Sequence, residues 1–383
     1  MQHKTWIKTF ALAALLPSLS FAASPELKTE VEIDTIANAV TATSDGTLFI
    51  GLPRWHATLK TASLMRVQGP TQYTPFPGGS WNGWAPGGDV ANAFVQVNSV
   101  HVFDDDTVWL VDQGAPDNIK TLPGAAKVVQ LDSKTGKILR VLRFDESILP
   151  PGAVMNDLRV FDNRVYITDA GVGALIIHDL KTGKTLRRLH NQPLLRQPLD
   201  RPILATAGRP YEDENGKRPA VHADMLEVTP DGEWVLFSTP SSPMYKIRRQ
   251  LLDDPSVSDA ELAKHIVLAF DKGTINGTCI DSLGNVYLGL VESRSIEVVA
   301  PDGRRATLIQ DDRLIGPDAL FIDANRRLLI PATQGELMAN FNKGKNGTSG
   351  KFHVYSLPLP DSVGGIKLGK SMSFRTLGTA ASH

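Results

Sequence analysis

Cysteine is almost absent from this sequence, and so is any excess of charge. The 383 residues include one cysteine, Cys279, so the chain cannot form an internal disulfide. Clusters of cysteine or histidine are missing as well, which disfavours a Zn²⁺ or copper site. The formal net charge of −1 lacks the basic field that would attract nucleic acid or an acidic membrane surface. We therefore expect neither nucleic acid nor a membrane as a partner.

Long apolar runs are missing beyond the N-terminus. The first residues, "MQHKTWIKTFALAALLPSLSFAAS", combine two lysines, a short apolar run and small residues. This pattern predicts a secretory signal peptide over residues 1–23, cleaved after Ala22 or Ala23. A membrane anchor or a core helix is the alternative, but the run is short for a membrane span. We expect a mature chain of residues 24–383 that is secreted or periplasmic and monomeric.

Helical periodicity is scarce, and a repeat takes its place. Six segments share one plan: an Asn or Asp, a short strand, a turn and a second apolar strand. They begin at Asn38, Asn98, Asn156, Asp224, Asn276 and Asp318. The shortest spacing, from Asn276 to Asp318, is close to the roughly 40–50 residues of a propeller blade.

The repeat predicts an all-β fold, namely a single six-bladed β-propeller of four-stranded antiparallel blades. Residues 350–359 are expected to share a blade with residues 26–34, which would clasp the ends of the ring. Two stacked β-sandwiches are the competing architecture, which a repeat register running through the whole chain disfavours.

Two columns of polar residues recur in the repeat. The turn column is expected to shape hairpins only, because Asx side chains bond turn backbone groups. It contains Asp45, Asp105, Asn163, Asp231 and Asn325. The opening column stands before the innermost strand of each blade, so its members should converge at one mouth of the central channel.

The opening column supplies the ligand-binding candidates Asn98, Asn156, Asp224, Asn276 and Asp318, beside Asn38. Their oxygens also suit Ca²⁺ or Mg²⁺, and Asn156, Asp224, Asn276 and Asp318 are the metal ligands predicted if a divalent ion is bound. The alternative is that each residue is an Asx cap that ties down a loop entry.

Neighbouring residues provide candidates for chemistry and for a pocket wall. His222, Asp157 and Glu292 are the predicted acid or base groups, although structural hydrogen bonding is the simpler interpretation of a lone His or Glu. Trp81 and Trp84 lie in the long loop "YTPFPGGSWNGWAPGGD" and could wall a ligand pocket, or pack on a neighbouring blade. Arg54 is a further binding candidate.

Several of these segments resemble the Yellow/major royal jelly protein family, in its bacterial branch. The motifs that carry the resemblance are "GLPRWH", "VNSVHVFDDDTVWLVDQG", "MNDLRVFDNRVYITDAG", "IIHDLKTGK" and "IGPDALFIDANRRLLIPAT". The resemblance implies a six-bladed propeller, export and, for some members, dopachrome conversion or the binding of amines. Animal members usually have several cysteines, whereas this chain has only Cys279.

The expected fold also resembles the SMP-30/gluconolactonase group of Ca²⁺-dependent lactonases. Asp224 and Asn276 stand at two of that group's metal positions with the Asn and Asp types exchanged, and Asn38 replaces the group's glutamate. Three hypotheses follow. The first is a ligand-binding protein with dopachrome-tautomerase-like isomerase activity, the second is a Ca²⁺-dependent lactonase, and the third is a binding propeller without catalysis.

Overall fold

The fold was analysed in a computed structural model that describes residues 26–54, 63–116 and 120–374. The predicted signal peptide and Trp55 of the "GLPRWH" motif lie outside these ranges. Nearly all regular structure is β-strand. No described helix is long and apolar enough to cross a membrane.

Six four-stranded antiparallel sheets form the body of the molecule. The first strand, β1 (Lys28–Ile33), is an outer strand of the last blade. Blade 1 has β2 (Ala39–Ala42), β3 (Leu48–Gly51), β4 (Leu64–Gly69) and β5 (Gln72–Pro75). Blade 2 has β6 (Val97–Val102), β7 (Val108–Asp112), β8 (Lys127–Leu131) and β9 (Ile138–Leu142). Blade 3 has β10 (Met155–Phe161), β11 (Arg164–Asp169), β12 (Ala174–Asp179) and β13 (Thr185–Arg188).

The second half of the chain repeats this arrangement. Blade 4 has β14 (Met225–Val228), β15 (Trp234–Ser238), β16 (Met244–Arg248) and β17 (Val267–Phe270), with helices α1 (Arg249–Asp253) and α2 (Asp259–Lys264) between its outer strands. Blade 5 has β18 (Ile275–Ile280), β19 (Val286–Leu290), β20 (Ser295–Val299) and β21 (Arg305–Gln310). Blade 6 has β22 (Phe321–Ile322), β23 (Arg327–Ala332) and β24 (Phe352–Pro358), completed by β1. A small hairpin, β25 (Ser362–Val363) and β26 (Ile366–Lys367), follows.

The sheets close into a ring, which confirms the predicted six-bladed propeller. Each innermost strand contacts the innermost strand of the next blade, and β22 of the last blade contacts β2 of the first. The predicted clasp is present, because β1 pairs with β24 in a register that sets Val31 opposite Val354. Closure of this kind places every innermost strand between the innermost strands of two neighbouring blades, so its edge is covered.

Apolar side chains fill the spaces between adjacent blades. One buried cluster, for example, joins Val97 and Val100 of blade 2 to Phe49 of blade 1. Three residues of the turn column have the expected structural role: Asp45, Asp105 and Asp231 each accept a hydrogen bond from the backbone N–H two residues later, at 3.1, 3.1 and 2.9 Å. The blades therefore form a rigid frame around the channel.

Two irregular segments rise over one mouth of the channel. The long insertion, residues 189–222, connects blades 3 and 4, and the blade 6 loop, residues 333–351, connects β23 and β24. Glu336 fastens them together by accepting hydrogen bonds from the Thr206 N–H at 2.6 Å and the Thr206 hydroxyl at 2.7 Å. At the other mouth, the chain around Met372 closes over a cavity of about 70 Å³.

Candidate functional site

The six residues of the opening column meet at the covered mouth of the channel and form what we call the ring. All six line a cavity of about 470 Å³, the mouth cavity, and also a narrower throat of about 30 Å³ that continues into the channel. They are Asn38, Asn98, Asn156, Asp224, Asn276 and Asp318. The predicted convergence is thus present in the structure, because radial closure places equivalent positions of every blade around one axis.

A local irregularity aims several ring side chains into the channel. The pairing register shifts between Val97 and Ser99, between Met155 and Leu158, and between Ile275 and Thr278. Asn98, Asn156 and Asn276 lie within these shifts. A bulge changes which face of the strand a residue occupies, and this explains how a polar residue can open a strand that is otherwise buried.

One side of the ring is a chain of mutually bonded amides, the amide half, formed by Asn38, Asn98 and Asn156. Asn38 Nδ2 donates to Asn98 Oδ1 at 3.3 Å, and Asn98 Nδ2 donates to Asn156 Oδ1 at 2.8 Å. Asn38 and Asn98 are buried, at 4% and 9% exposed. The chain of amides ends at Asn38 Oδ1, a buried acceptor without a hydrogen-bond partner among the described residues.

The other side is the acidic half, formed by Asp224, Asn276 and Asp318. Within the described part of the chain, no hydrogen bond connects these three side chains to one another. Burial, reinforced by the charge of Asp157, raises the pKa of Asp224 to about 7 despite the nearby Lys272. Burial and the charge of Asp224 raise the pKa of Asp318 well above its usual value. Two carboxyl groups that disfavour each other's ionisation are suited to a proton, a cation or a hydrogen-bonding ligand.

The roof of the mouth cavity is largely apolar. The insertion contributes Ile203, Tyr211 and Val221, and the blade 6 loop contributes Phe341. Tyr211 and Phe341 pack with ring centroids 5.1 Å apart. The cavity therefore combines a polar floor, the ring, with an apolar and aromatic roof.

A buried network of charged side chains lies below the ring. Asp157 receives hydrogen bonds from His101 Nε2 at 2.7 Å and from Arg159 Nη1 at 2.7 Å. Arg159 also contacts both carboxylate oxygens of Glu227, at 3.0 and 2.7 Å, and Thr278 donates to Glu227 at 2.7 Å.

These charges shift the pKa values of Asp157 and Arg159. Burial alone would raise the pKa of Asp157, but the charges of Arg159 and His101 outweigh it and hold that pKa well below the usual range. Against the effect of burial, Asp157 and Glu227 hold the pKa of Arg159 above its ordinary value. Asp157 is therefore a permanently ionised neighbour of the acidic half.

Sequence reasoning identified Asp157 but missed the other charged members of this network. A sequence pattern could have identified them, because His101, Arg159 and Glu227 each stand three positions after a ring residue. Cys279 and Phe321 occupy the same place in two other blades, and all five line the small cavity at the far end of the channel. Cys279 is buried, and burial raises the pKa of its thiol well above the ordinary value.

Other predicted site residues lie outside the lining of the mouth cavity. His222 is buried and its Nδ1 accepts the Gln197 backbone N–H at 3.0 Å, while Glu292 accepts the Thr274 backbone N–H at 3.1 Å. Both side chains thus hold loops, which was the simpler interpretation of each.

The aromatic loop and Arg54 form a packed corner in blade 1. The Arg54 guanidinium lies 5.4 Å from the centre of the Trp84 ring and donates to the Phe94 carbonyl oxygen at 2.8 Å. Trp81 packs on Phe94, with ring centroids 5.2 Å apart. This arrangement corresponds to the packing alternative for the loop. The structure thus brings the ring together but does not place Arg54, Trp81 or Trp84 in its cavity.

The ring has the hard oxygen donors that Ca²⁺ or Mg²⁺ prefers. Asp224 and Asp318 provide two carboxylates, with the amides of Asn156 and Asn276 beside them. Across residues 26–54, 63–116 and 120–374, no group of three or more His, Cys, Asp or Glu side chains is placed to hold a metal ion. A cation at the ring would therefore depend on amide oxygens for part of its coordination, and the donor set fits Ca²⁺ better than a softer ion.

Comparison with solved structures finds similar folds of low sequence identity. A gluconolactonase from Xanthomonas campestris is similar with a TM-score of 0.54 and 13% identity, over 88% of this chain and 91% of that one. A luciferin-regenerating enzyme is similar with a TM-score of 0.53 and 11% identity, over 91% and 99% of the two chains. Regucalcin from Agrobacterium tumefaciens, a calcium-binding protein, has a TM-score of 0.51 and 13% identity, over 91% and 97%. At these identities the likeness concerns the fold alone.

Comparison at the level of sequence identifies the family. A search of the curated proteins found no match. The family model described as "Major royal jelly protein" matches residues 95–330, more than half of the chain. This range contains five of the six ring residues and the whole network below them. The chain belongs to the major royal jelly protein family.

Proposed function

We propose that the mouth cavity binds a small molecule that has an aromatic or apolar body and a polar end. The observation that carries this proposal is the pairing of the ring with an apolar roof across one cavity of about 470 Å³. Ligand sites commonly combine apolar walls with a few convergent polar groups.

The acidic half favours a ligand whose polar end is a cation or a strong hydrogen-bond donor. Asp224 and Asp318 both line the cavity. Neither forms an ion pair with a basic side chain of the described residues. An ammonium group placed between them would relieve the unfavourable interaction of the two carboxylates. Because the site is half-buried, such a contact is screened less than one on the surface.

The roof favours a flat ligand body. Tyr211 and Phe341 present aromatic surfaces, and Ile203 and Val221 complete an apolar wall. Aromatic amines such as tryptamine and dopamine combine both features, which makes them suitable first probes. This agrees with the amine binding that the family resemblance implies.

An isomerase of the dopachrome-tautomerase type is the catalytic form of this proposal. Tautomerisation moves a proton from one atom of the ligand to another, so it requires an acid or base in reach of the ligand. Asp224 lines the mouth cavity and is the better placed group. Asp157 lies deeper in the throat, and His222 and Glu292 hold loops.

A Ca²⁺-dependent lactonase is the second candidate, and the oxygen donors of the acidic half favour it. Asp224, Asn276 and Asp318, with Asn156, would hold the ion, which would polarise the ester carbonyl of a lactone. This alternative makes a distinct prediction, because binding of an amine would then compete with the metal.

Calorimetric titration of the purified protein with tryptamine, dopamine and CaCl₂ separates the candidates. We expect binding of at least one amine that is weakened in D224N and D318N but unchanged in D231N, which removes a carboxylate from an exposed hairpin turn. Hydrolysis of a lactone panel that requires Ca²⁺, without amine binding, would favour the lactonase. Amine binding without turnover of dopachrome would identify a binding protein, and binding equal in all variants would place the site elsewhere.

We also propose that the chain is exported, on the strength of the sequence pattern at residues 1–23. The mass and N-terminal sequence of the mature protein test this proposal. A mature chain that begins near Ser24 is the expected result, and retention of residues 1–23 would contradict it.

A further inference from the structure

Tyr211 brings an unused polar group to the mouth cavity from outside the ring. Its side chain is 5% exposed. Its hydroxyl lies beside the Asn276 side chain, but no hydrogen bond of normal length and angle joins it to any described residue. Most buried polar groups in proteins are hydrogen-bonded, and a buried hydroxyl without a partner destabilises the folded state. A hydroxyl without a partner, on a residue that lines a cavity, indicates that a bound molecule supplies the partner.

The position of Tyr211 does not depend on its hydroxyl. The ring packs on Phe341, and the Tyr211 N–H donates to the Ile203 carbonyl oxygen at 2.9 Å. Next to it, Arg209 donates to the carbonyl oxygens of Phe341 at 2.9 Å and Glu336 at 2.6 Å. These contacts hold the insertion on the blade 6 loop, so the Tyr211 side chain is held at the wall of the mouth cavity by a fixed scaffold.

A second buried tyrosine shows what a satisfied hydroxyl looks like in this protein. Tyr166 is 2% exposed, and its hydroxyl lies 2.9 and 3.1 Å from the two carboxylate oxygens of Asp253. Burial raises the pKa of both tyrosines, so both hydroxyls remain protonated at neutral pH. The two hydroxyls differ in geometry: Tyr166 makes a hydrogen bond of normal length and angle, whereas Tyr211 lies beside Asn276 without one.

We propose that Tyr211 is a specificity-determining residue whose hydroxyl hydrogen-bonds the polar end of a ligand seated against Asn276 and Asp318. This inference rests on the proposed function and narrows the ligand class. The polar end must satisfy a neutral hydroxyl as well as the carboxyl groups, as an ammonium or alcohol group does. A ligand of the same shape without that group leaves the hydroxyl unpaired and binds more weakly.

The test compares two probes of similar shape, tryptamine and 3-ethylindole, in the wild-type protein, Y211F and Y166F. We expect Y211F to bind tryptamine about tenfold more weakly than the wild type, a ratio that corresponds to ~1.4 kcal/mol. Its affinity for 3-ethylindole should be unchanged. Y166F, the matched control, should bind both probes as the wild type does.

Thermal unfolding without ligand is a second measurement. It would change in Y211F if the Tyr211 hydroxyl had a structural role. Y211F should have a melting temperature equal to or above that of the wild type, because it removes an unpaired buried hydroxyl. Y166F should melt at a lower temperature, because it removes a hydroxyl that is bonded.

Unchanged tryptamine binding in Y211F would overturn this inference while leaving the proposed function intact. A fall in melting temperature as large as that of Y166F would overturn it too, since it would show that the hydroxyl has a partner within the protein. Absence of tryptamine binding by the wild type would overturn the proposed function and this inference with it.

Discussion

The amide half and the acidic half of the ring occupy equivalent positions of six blades but differ in how their side chains are satisfied. In the amide half, Asn98 accepts from Asn38 and donates to Asn156, so hydrogen bonds join all three side chains and only Asn38 Oδ1 lacks a partner among the described residues. In the acidic half, Asp224 and Asp318 raise the free energy of each other's ionised form. Equivalent positions in a repeat can thus be structural on one side of a channel and available to a ligand on the other.

The largest effect on stability is expected for the charged network that lies below both halves of the ring. Replacing Arg159 by Met leaves Asp157 and Glu227 buried without their cation, which should lower the free energy of unfolding by about 3–5 kcal/mol. Chemical denaturation measures the effect. The control is R248M, whose arginine pairs with Glu233 at the surface, and its effect should stay below about 1 kcal/mol. Equal effects in the two variants would show that the network does not stabilise the channel.

Ligand binding should depend on the acidic half. We expect D224N to weaken the binding of tryptamine by about 30-fold, or ~2 kcal/mol, because a half-buried charged hydrogen bond is lost. In the wild type, affinity should increase as the pH rises through about 7, where Asp224 loses its proton. The groups around Asp224 are Asp157, Lys272 and Asp318. Titration calorimetry from pH 5.5 to 8 measures both effects, and a pH profile that D224N leaves unchanged would contradict the assignment.

The free energy of unfolding should decrease as the pH rises, whereas the affinity for the amine should increase. The pKa of Asp224 is raised in the folded protein, so between about pH 4 and pH 7 the unfolded chain releases this proton while the folded chain keeps it. Stability is therefore lost as the pH rises through this window. D224N should raise the free energy of unfolding by about 1–2 kcal/mol at pH 8 and by little at pH 4. An equal gain at both pH values would argue against a raised pKa.

The smallest expected effect compares one amide from each half. N98A removes hydrogen bonds to both neighbours and should lower the free energy of unfolding by about 1 kcal/mol. N276A removes a side chain that has no hydrogen bond to another ring residue, so its effect should be a few tenths of a kcal/mol. Denaturation curves of the two variants measure the difference. Equal losses would remove the distinction between the halves.

The sequence allowed the ring to be predicted because the repeat has a regular column. Asn98, Asn156 and Asn276 could be identified by aligning six segments, and closure of the propeller then brings them together. His101 and Glu227 were missed because a single His or Glu on a strand does not stand out, although their shared offset from the ring residues was visible. His222 shows the reverse case: an attractive residue type whose hydrogen bond to Gln197 serves a loop.

The sequence by itself determined the number of blades, the clasp of the chain ends and the identity of the ring residues, because strand periodicity and turn chemistry are local properties that repeat along the chain. Only the tertiary structure decided which ring residues bond each other and which face the cavity. It also decided that Tyr211 and Phe341, more than a hundred residues apart in the chain, form one roof. Such choices depend on distances between blades and on the path of long insertions, which no local pattern specifies.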